Sequence, residues 1–212
     1  MVGGAPAPVV AVLTRAPSAG GKTRLFAALG RPPDPALLTA LLLDTIDGAR
    51  ATGRSCVVAV DPPEACDAVA RLVPEGVRVR PQPGGPLGDR MRDVMTALLA
   101  EGAPAVVLVG SDLPDLRGDL IEAALAHLND DPGSLVLGPA ADGGYYLIAA
   151  TRVPPVFDGI AWGGPDVLAQ TVAAARRAGQ AVHLLDELRD VDAPEELAVA
   201  EGARTRAWLA RT

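Results

Sequence analysis

The chain has 212 residues, of which 49% are hydrophobic and 21% are charged, and this composition is typical of a globular protein rather than a disordered one. The formal net charge is −7 and no cluster of Lys and Arg residues appears, so we expect neither a nucleic acid nor an anionic membrane surface as a partner. The two cysteines lack metal-ligand spacing, which predicts reduced structural thiols.

The chain lacks the sequence features of export and of membrane insertion. Only a short apolar stretch without a basic segment precedes Arg15, which predicts that there is no signal peptide. No window approaches the roughly 20 apolar residues of a membrane span. We therefore expect a cytoplasmic protein in which residues 1–212 form a single domain, while the sequence leaves the oligomeric state open.

Short aliphatic segments alternate along the chain with segments of helical periodicity. The predicted strands are 9–14, 55–60, 77–80, 105–109, 135–137, 145–149 and 181–185. The predicted helices are 22–29, 35–49, 63–72, 89–99, 118–128, 165–178 and 194–209, with Asp34 as the cap of the second. Strands and helices alternate in the first half, and two strands follow each other closely in the second. We therefore predict a three-layer α/β/α fold with a mainly parallel, mixed central sheet.

A glycine-rich loop with the sequence RAPSAGGKTRL follows the first predicted strand. Gly20 and Gly21 would let backbone amides approach an anion at the start of a helix. Arg15, Lys22 and Arg24 would supply the countercharge, and Lys22 is the only lysine of the chain. The loop therefore predicts a phosphate-binding site.

Two other interpretations of this loop remain open. Its sequence approaches the P-loop pattern GxxxxGK[ST], except that Ala16 stands at the first glycine. The strand before Asp112 would then be a Walker B strand, so a P-loop kinase is an alternative. The loop also has the composition of a plain flexible turn.

Asp112 follows the most apolar predicted strand, in the segment GSDLPD. In open α/β sheets ligands bind beyond the carboxyl ends of the strands, so this carboxylate is well placed to hold Mg²⁺ or Mn²⁺ against phosphate oxygens. Asp115, three residues further on, is better suited to capping the next turn.

The segment DVDAPEE near the end of the chain supplies a candidate for the second metal ligand. Asp192 is the favoured ligand and Asp190 is the alternative. A helix that begins at Pro194, with Glu195 and Glu196 in its first turn, also accounts for much of this segment.

An Asp-Gly-Gly turn joins two predicted strands in the segment GPAADGGYYLI. Composition alone favours a simple hairpin loop. The functional interpretation instead sets Asp142 and the backbone of Gly143 and Gly144 against polar groups of a substrate.

The order of these segments resembles that of a bacterial family of glycosyltransferase-like proteins with the GT-A fold, associated with arsenosugar biosynthesis and part of the nucleotide-diphospho-sugar transferase superfamily. The matching segments of this chain are KTRL (22–25), LGDRM (87–91), GSDLPDL (110–116), GPAADGGYYLI (138–148), FDGIAW (157–162) and DVDAPEEL (190–197). The chain is also similar to the guanylyltransferases of deazaflavin cofactor biosynthesis, which share a Lys-x-Arg-Leu loop.

The resemblance implies a nucleotide-diphospho-sugar transferase fold in which Asp112 belongs to the metal-binding acidic motif. The further candidate contacts are Gln82, Arg90 and Ser111 for the nucleotide, and Tyr145 and Trp162 for the acceptor. The chain departs from the family at Ala193, where Thr is usual, and at Gly163 and Gly164, where Ser or Thr is commoner after Trp162. The second departure removes a side-chain hydroxyl next to Trp162, where the resemblance implies contacts with the acceptor.

The favoured activity is glycosyl transfer from a nucleoside-diphosphate sugar to a small acceptor. The departing diphosphate would be stabilised by the metal and by Lys22 or Arg15, while Asp142 orients the acceptor or acts as its base. The alternative is nucleotidyl transfer, in which a phosphorylated small molecule attacks an NTP and pyrophosphate leaves. A nucleotide-binding protein without catalytic activity is a third hypothesis.

Overall fold

The computed structural model describes residues 6–211. Its strands are β1 (Val9–Arg15), β2 (Ser55–Asp61), β3 (Arg78–Pro81), β4 (Val106–Val109), β5 (Leu135–Pro139), β6 (Tyr145–Ala150) and β7 (Val182–Leu184). Its helices are α1 (Thr23–Ala28), α2 (Pro35–Arg50), α3 (Cys66–Ala70), α4 (Leu87–Ala100), α5 (Gly118–Asp130), α6 (Val167–Arg177), α7 (Pro194–Val199) and α8 (Ala203–Leu209). The expectation about the N-terminal stretch falls partly on residues 1–5, outside the described residues.

The strands form one seven-stranded sheet in the order β3-β2-β1-β4-β6-β5-β7. Strand β6 runs antiparallel to both of its neighbours, β4 and β5, and every other pairing is parallel. The predicted mainly parallel, mixed sheet is therefore confirmed, with the antiparallel strand in the irregular second half of the chain.

Helices cover both faces of this sheet, as the unbroken apolar strands predict. Because successive side chains of a strand point to opposite faces, Val10 and Val12 of β1 pack in a buried cluster with residues of α2, α3 and α5. Val9 and Ala11 pack in a second cluster, with residues of α4 and α6. The result is the predicted three-layer arrangement.

A third apolar cluster lies among α1, α2, α7 and α8 and includes Phe26 and Trp208. Asp34 caps α2 as expected, since one carboxylate oxygen accepts a hydrogen bond from the Ala36 amide. Its other oxygen accepts from the indole of Trp208, which links the start of α2 to α8. This cluster packs α7 and α8, near the end of the chain, against α2 and against α1, which follows the glycine-rich loop.

The prediction of one helix over 194–209 is wrong, because this segment forms the two helices α7 and α8. Ala200, between them, has an extended backbone. Gly202, at the start of α8, lies so close to Asp44 and Pro114 that any side chain there would collide with them. Glycine at this position therefore allows the start of α8 to pack closely against α2.

Asp115 does not cap the turn that follows it. Its carboxylate accepts hydrogen bonds from the amides of Glu201 (2.6 Å) and Gly202 (3.2 Å), at the start of α8. The expectation that Asp115 caps the next turn is therefore wrong, because its carboxylate binds the two residues just before α8.

Both cysteines are free, as expected. Within the described part of the chain, no helix combines the length and the apolar character that crossing a membrane requires.

Candidate functional site

The candidate site lies at the carboxyl edge of the sheet, where the loops after β1 and β4 meet. These two strands are parallel neighbours, so the glycine-rich loop and Asp112 emerge at the same edge. The segment that carries Asp190 and Asp192 reaches this edge because the Val191 amide donates a hydrogen bond to the Asp112 carbonyl oxygen, at 3.1 Å. The fold therefore brings together three segments that are far apart in sequence.

Three carboxylates converge at this point. Asp112, Asp190 and Asp192 each offer one oxygen, and the three oxygens lie within 4.8 Å of one another. Oxygens on opposite sides of a bound Mg²⁺ lie about 4.2 Å apart, so this donor set fits a hard divalent cation after a small contraction. The two candidates for the second ligand, Asp190 and Asp192, thus both lie beside Asp112.

Lys22 lies between two of these carboxylates. Its ammonium contacts both Asp112 and Asp192 in ion pairs. Burial lowers the pKa of Lys22, but the two carboxylates outweigh burial, and the pKa lies above its ordinary value. Asp112 and Asp192 are therefore close enough to share one cation.

The surroundings of Asp190 disfavour its negative charge. Burial raises the pKa of Asp190 to about 6, and the negative charges of Asp112 and Asp192 add to the increase. A like-charged cluster of this kind favours binding of a cation or a proton.

The backbone of the glycine-rich loop explains how Lys22 reaches this position. Gly20 and Gly21 have φ angles of 72° and 148°, and Lys22 itself is left-handed, with φ 49° and ψ 38°. Within residues 6–211, Lys22 is the only residue other than glycine with a positive φ. Such strain is concentrated at functional sites, which is consistent with the role predicted for the only lysine.

A cleft beside the glycine-rich loop contains most of the predicted nucleotide contacts. The candidates among its lining residues are Arg15, Gly20, Gly21, Lys22, Ser111 and Asp112. Leu87 forms part of its apolar wall. We call this the first cleft. Arg24 lies elsewhere, in an adjoining cleft that it shares with Asp142, Asp192 and Glu195.

Gln82 and Arg90 are engaged in contacts between elements of the fold. Gln82 is buried, and its side-chain amide donates to the carbonyl oxygens of Thr14 (2.9 Å) and Ala59 (2.7 Å). Its own oxygen accepts from Arg90 at 3.1 Å, and Arg90 lies 3.6 Å from Asp61. Gln82 and Arg90 thus connect β1 and β2 to α4. The contact of these two residues with a nucleotide stays a prediction.

A second cleft lies on the other side of Asp112 and contains most of the predicted acceptor contacts. Its lining includes Asp112, Asp142, Gly144, Tyr145, Tyr146, Trp162, Gly163, Gly164, Val167 and Asp190. Asp112, Gly110 and Leu87 line both clefts and therefore form the boundary between them.

The Asp142 turn has features of both interpretations that the sequence left open. One Asp142 oxygen accepts a hydrogen bond from the Gly144 amide at 2.8 Å, as in a simple turn. The same residue also lines the second cleft. Gly143 has φ 89° and lies against the Pro165 carbonyl, where a side chain would collide. The hairpin is thus fitted closely against the segment before α6.

Two further residues support the site, of which Thr45 had no recognisable signal in the sequence and Glu196 was expected only in the first turn of a helix. The Thr45 hydroxyl of α2 accepts a hydrogen bond from the Leu113 amide at 3.0 Å and so fixes the backbone beside Asp112. Glu196 accepts from the amides of Asp192 (2.7 Å) and Ala193 (2.8 Å). Glu196 therefore caps the start of α7 from within the helix, where the side chain of Ala193 supplies no acceptor.

Comparison with known proteins identifies the family and the fold of this chain. Residues 45–164 match the family described as "Uncharacterized protein conserved in bacteria (DUF2064)". A 3-phospho-D-glycerate guanylyltransferase from Phenylobacterium zucineum is 33% identical over 196 residues, which cover 86% of this chain and 85% of that protein. A phosphoenolpyruvate guanylyltransferase from Geodermatophilus obscurus is 34% identical over 217 residues, which cover 95% and 93% of the two chains.

A solved structure from Desulfovibrio desulfuricans G20, assigned as a nucleotide-diphospho-sugar transferase, superimposes with a TM-score of 0.79. It is 31% identical and is matched over 96% of this chain and 94% of its own. The expected resemblances, the expected fold and the expected class of enzyme, a transferase, are thereby confirmed. The chain therefore belongs to the bacterial DUF2064 family and has the fold of the nucleotide-diphospho-sugar transferases.

Proposed function

We propose that the protein transfers a group from a nucleotide donor to a small acceptor in a metal-dependent reaction, and that the group is a sugar carried by a nucleoside diphosphate. The observation that carries this proposal is the position of Asp112. It lines both clefts and stands in a group of three carboxylates. A donor diphosphate in the first cleft and an acceptor in the second would thus meet beside one candidate metal site.

The metal in this proposal is held by Asp112 together with Asp190 and Asp192. The fit rests on the three carboxylate oxygens, which lie within 4.8 Å of one another. When bound, a divalent cation would offset the negative charge that develops on the departing diphosphate.

Arg15 and Lys22 would bind the donor from the glycine-rich side of the first cleft. Lys22 is 14% exposed in its side chain, so its charge is only partly screened by water. A positive group aimed at the leaving diphosphate favours the transition state, in which negative charge accumulates on that group.

Asp142 would orient the acceptor hydroxyl in the second cleft. One of its oxygens is engaged by the Gly144 amide, which holds the carboxylate in one orientation. Its second oxygen would take the hydroxyl proton while the acceptor oxygen bonds to the anomeric carbon. The bond from that carbon to the diphosphate oxygen breaks in the same step.

A second candidate, guanylyl transfer, is favoured by the names of the two relatives. In that reaction a phosphate oxygen of the acceptor attacks the α-phosphate of an NTP, and pyrophosphate leaves. Both reactions need phosphate binding in the first cleft and a cation near Asp112.

The leaving group distinguishes the two reactions. The full-length protein would be incubated with Mn²⁺ and either an NTP or a UDP- or GDP-sugar, together with mixed small acceptors. Release of UDP or GDP is the expected result, whereas release of pyrophosphate would favour guanylyl transfer. If nucleotides bind with metal but neither leaving group is released with any acceptor, the proposal of glycosyl transfer fails.

We also propose that residues 1–212 work as one domain. The support is that all seven strands of the described residues belong to one sheet and that both clefts lie at its carboxyl edge.

A further inference from the structure

Every charged side chain in the described lining of the second cleft is acidic. The charged residues among its lining are Asp112, Asp142 and Asp190, and its described lining includes no Lys, Arg or His. A divalent cation among these carboxylates would offset only part of their formal charge. A concave surface with one sign of charge repels ligands of the same sign, so the cleft opposes anionic acceptors.

Three positive side chains lie in the neighbourhood of this cleft without lining it, and two of them, Lys22 and Arg90, have partners. The third, Arg24, lines the adjoining cleft that shares Asp142 with the second cleft. Lys22 contacts Asp112 and Asp192, on the boundary with the first cleft. Arg90 donates to Gln82 and lies near Asp61. Neither residue lines the second cleft, so an acceptor phosphate there would find no guanidinium or ammonium group along the described lining.

The remaining walls of the cleft are apolar and aromatic. The rings of Tyr145 and Trp162 meet edge to face, with centroids 6.3 Å apart. Trp162 is held against the backbone of Gly88, where an added Cβ would lie 2.6 Å from the indole nitrogen. Met91 is buried, and Leu87 closes the rim with 39% of its surface exposed. These side chains favour a flat or ring-shaped apolar body.

We infer that the second substrate is an uncharged or cationic molecule with a ring-shaped, partly apolar body and a hydroxyl group, and that phosphorylated carboxylic acids are excluded. This inference rests on the proposed function, because it describes the acceptor of that reaction. It separates this chain from the two guanylyltransferase relatives, whose names specify phosphorylated carboxylic acids.

Calorimetric titration of the full-length protein with Mn²⁺ present would test the inference. The probes are phenyl β-D-glucopyranoside, its 6-phosphate, the cation tyramine, phosphoenolpyruvate and 3-phosphoglycerate. We expect the uncharged glucoside or tyramine to bind at least about tenfold more tightly than any phosphorylated probe, since repulsion of 1.4 kcal/mol corresponds to a factor of ten. Equal or tighter binding of a phosphorylated probe would overturn the inference, and so would failure of both the glucoside and tyramine to bind.

Added charge at the rim gives a second, independent test. Leu87→Arg would introduce a cation beside the cleft, and we expect it to strengthen binding of 3-phosphoglycerate by about tenfold. Leu72→Arg is the matched control, because Leu72 is exposed to a similar degree (42%) and does not line the cleft. Asp142→Asn should likewise reduce the difference in affinity between the glucoside and its 6-phosphate, because it removes one negative charge from the cleft. No change in any of these variants would contradict the inference.

The two proposals fail in different ways. If the wild-type protein does not bind nucleotides in a metal-dependent way, the proposed function is contradicted, whichever acceptor probes bind. Intact metal-dependent nucleotide binding together with tight binding of phosphoenolpyruvate would contradict only the inferred acceptor class.

Discussion

At the residue scale, the candidate site depends on a balance of charge around Lys22. Its ammonium contacts Asp112 and Asp192, and its backbone occupies a left-handed conformation that costs about 1–2 kcal/mol for a residue other than glycine. Asp190 lies in the same carboxylate group but makes no ion pair with Lys22 in the described structure. Asp190 is therefore the member of the group whose charge is least compensated.

This imbalance predicts that Asp190→Asn stabilises the metal-free protein at pH 8. Burial, with the charges of Asp112 and Asp192, raises the pKa of Asp190 to about 6 from an ordinary value of 3.8. A carboxyl group whose pKa rises on folding costs stability above its folded pKa, and this cost disappears as the pH falls toward 3.8. Melting temperatures with a chelator present, at pH 8 and at pH 4.5, would measure the effect.

The control for this prediction is Asp158→Asn, because the Asp158 side chain is 89% exposed and lies outside the carboxylate group. We expect the melting temperature of Asp190→Asn to exceed that of the wild type at pH 8 and to approach it at pH 4.5. An equal increase at both values of pH would show that the charge of Asp190 is not the cause.

At the scale of the elements, one buried acid of α2 accepts several hydrogen bonds from the start of α8. The side chain of Asp44 is 3% exposed and accepts hydrogen bonds from the amide and the hydroxyl of Thr205, at 2.9 and 2.8 Å. It also accepts from the Arg204 amide at 3.1 Å. Together with Asp115, it satisfies backbone donors at the start of α8.

We therefore predict that Asp44→Ala destabilises the protein by about 2–4 kcal/mol, because it leaves buried donors without acceptors. Asp47→Ala is a suitable control: Asp47 pairs with the same Arg204 but is 50% exposed, so its loss should cost about 1 kcal/mol or less. Urea unfolding would compare the two variants. Equal losses would mean that burial of Asp44 does not hold α8 in place.

Gly143, in the hairpin between β5 and β6, can be compared with Gly163, in the loop between β6 and α6. Gly143 (φ 89°) lies against the Pro165 carbonyl, whereas Gly163 has a similar φ of 83° and open space around its Cα. We expect Gly143→Ala to cost more stability than Gly163→Ala, since both suffer backbone strain but only Gly143→Ala adds a collision. The wall of the second cleft would be displaced, so transfer activity should fall while metal-dependent nucleotide binding persists.

Denaturant unfolding and nucleotide titration of both variants would test this prediction. If Gly143→Ala and Gly163→Ala lower the free energy of unfolding equally, the contact of Gly143 with Pro165 does not add to stability.

At the scale of the whole molecule, the sheet order explains why the site lies where it does. Strands β1 and β4 are parallel neighbours, so the loops that follow them share one edge. Strand β6 is antiparallel to β4, so its start at Tyr145 also lies at that edge. The glycine-rich loop, Asp112 and the Asp142 hairpin are thereby gathered around one point.

Much of this arrangement is predictable because it follows from local patterns. Apolar segments predict the strands, and a carboxylate after the most apolar strand predicts Asp112 as the centre of the site. What the sequence does not reveal depends on contacts between distant segments. The break between α7 and α8 lies where Gly202 packs against Asp44 and Pro114, and the backbone beside Asp112 is fixed by the hydrogen bond from the Leu113 amide to Thr45.

The position of Asp112 between two clefts is the centre of this account, and metal-dependent nucleotide binding tests it most directly. A thermal-shift screen with Mn²⁺ would identify a nucleotide or nucleotide sugar that binds, because a ligand of the folded state raises the apparent melting temperature. Its affinity would then be measured with and without Mn²⁺ for the wild type, Asp112→Asn and the control Asp158→Asn. We predict that Mn²⁺ strengthens binding at least about tenfold, or 1.4 kcal/mol, in the wild type and the control but not in Asp112→Asn. An unchanged metal effect in Asp112→Asn would contradict the assignment of Asp112.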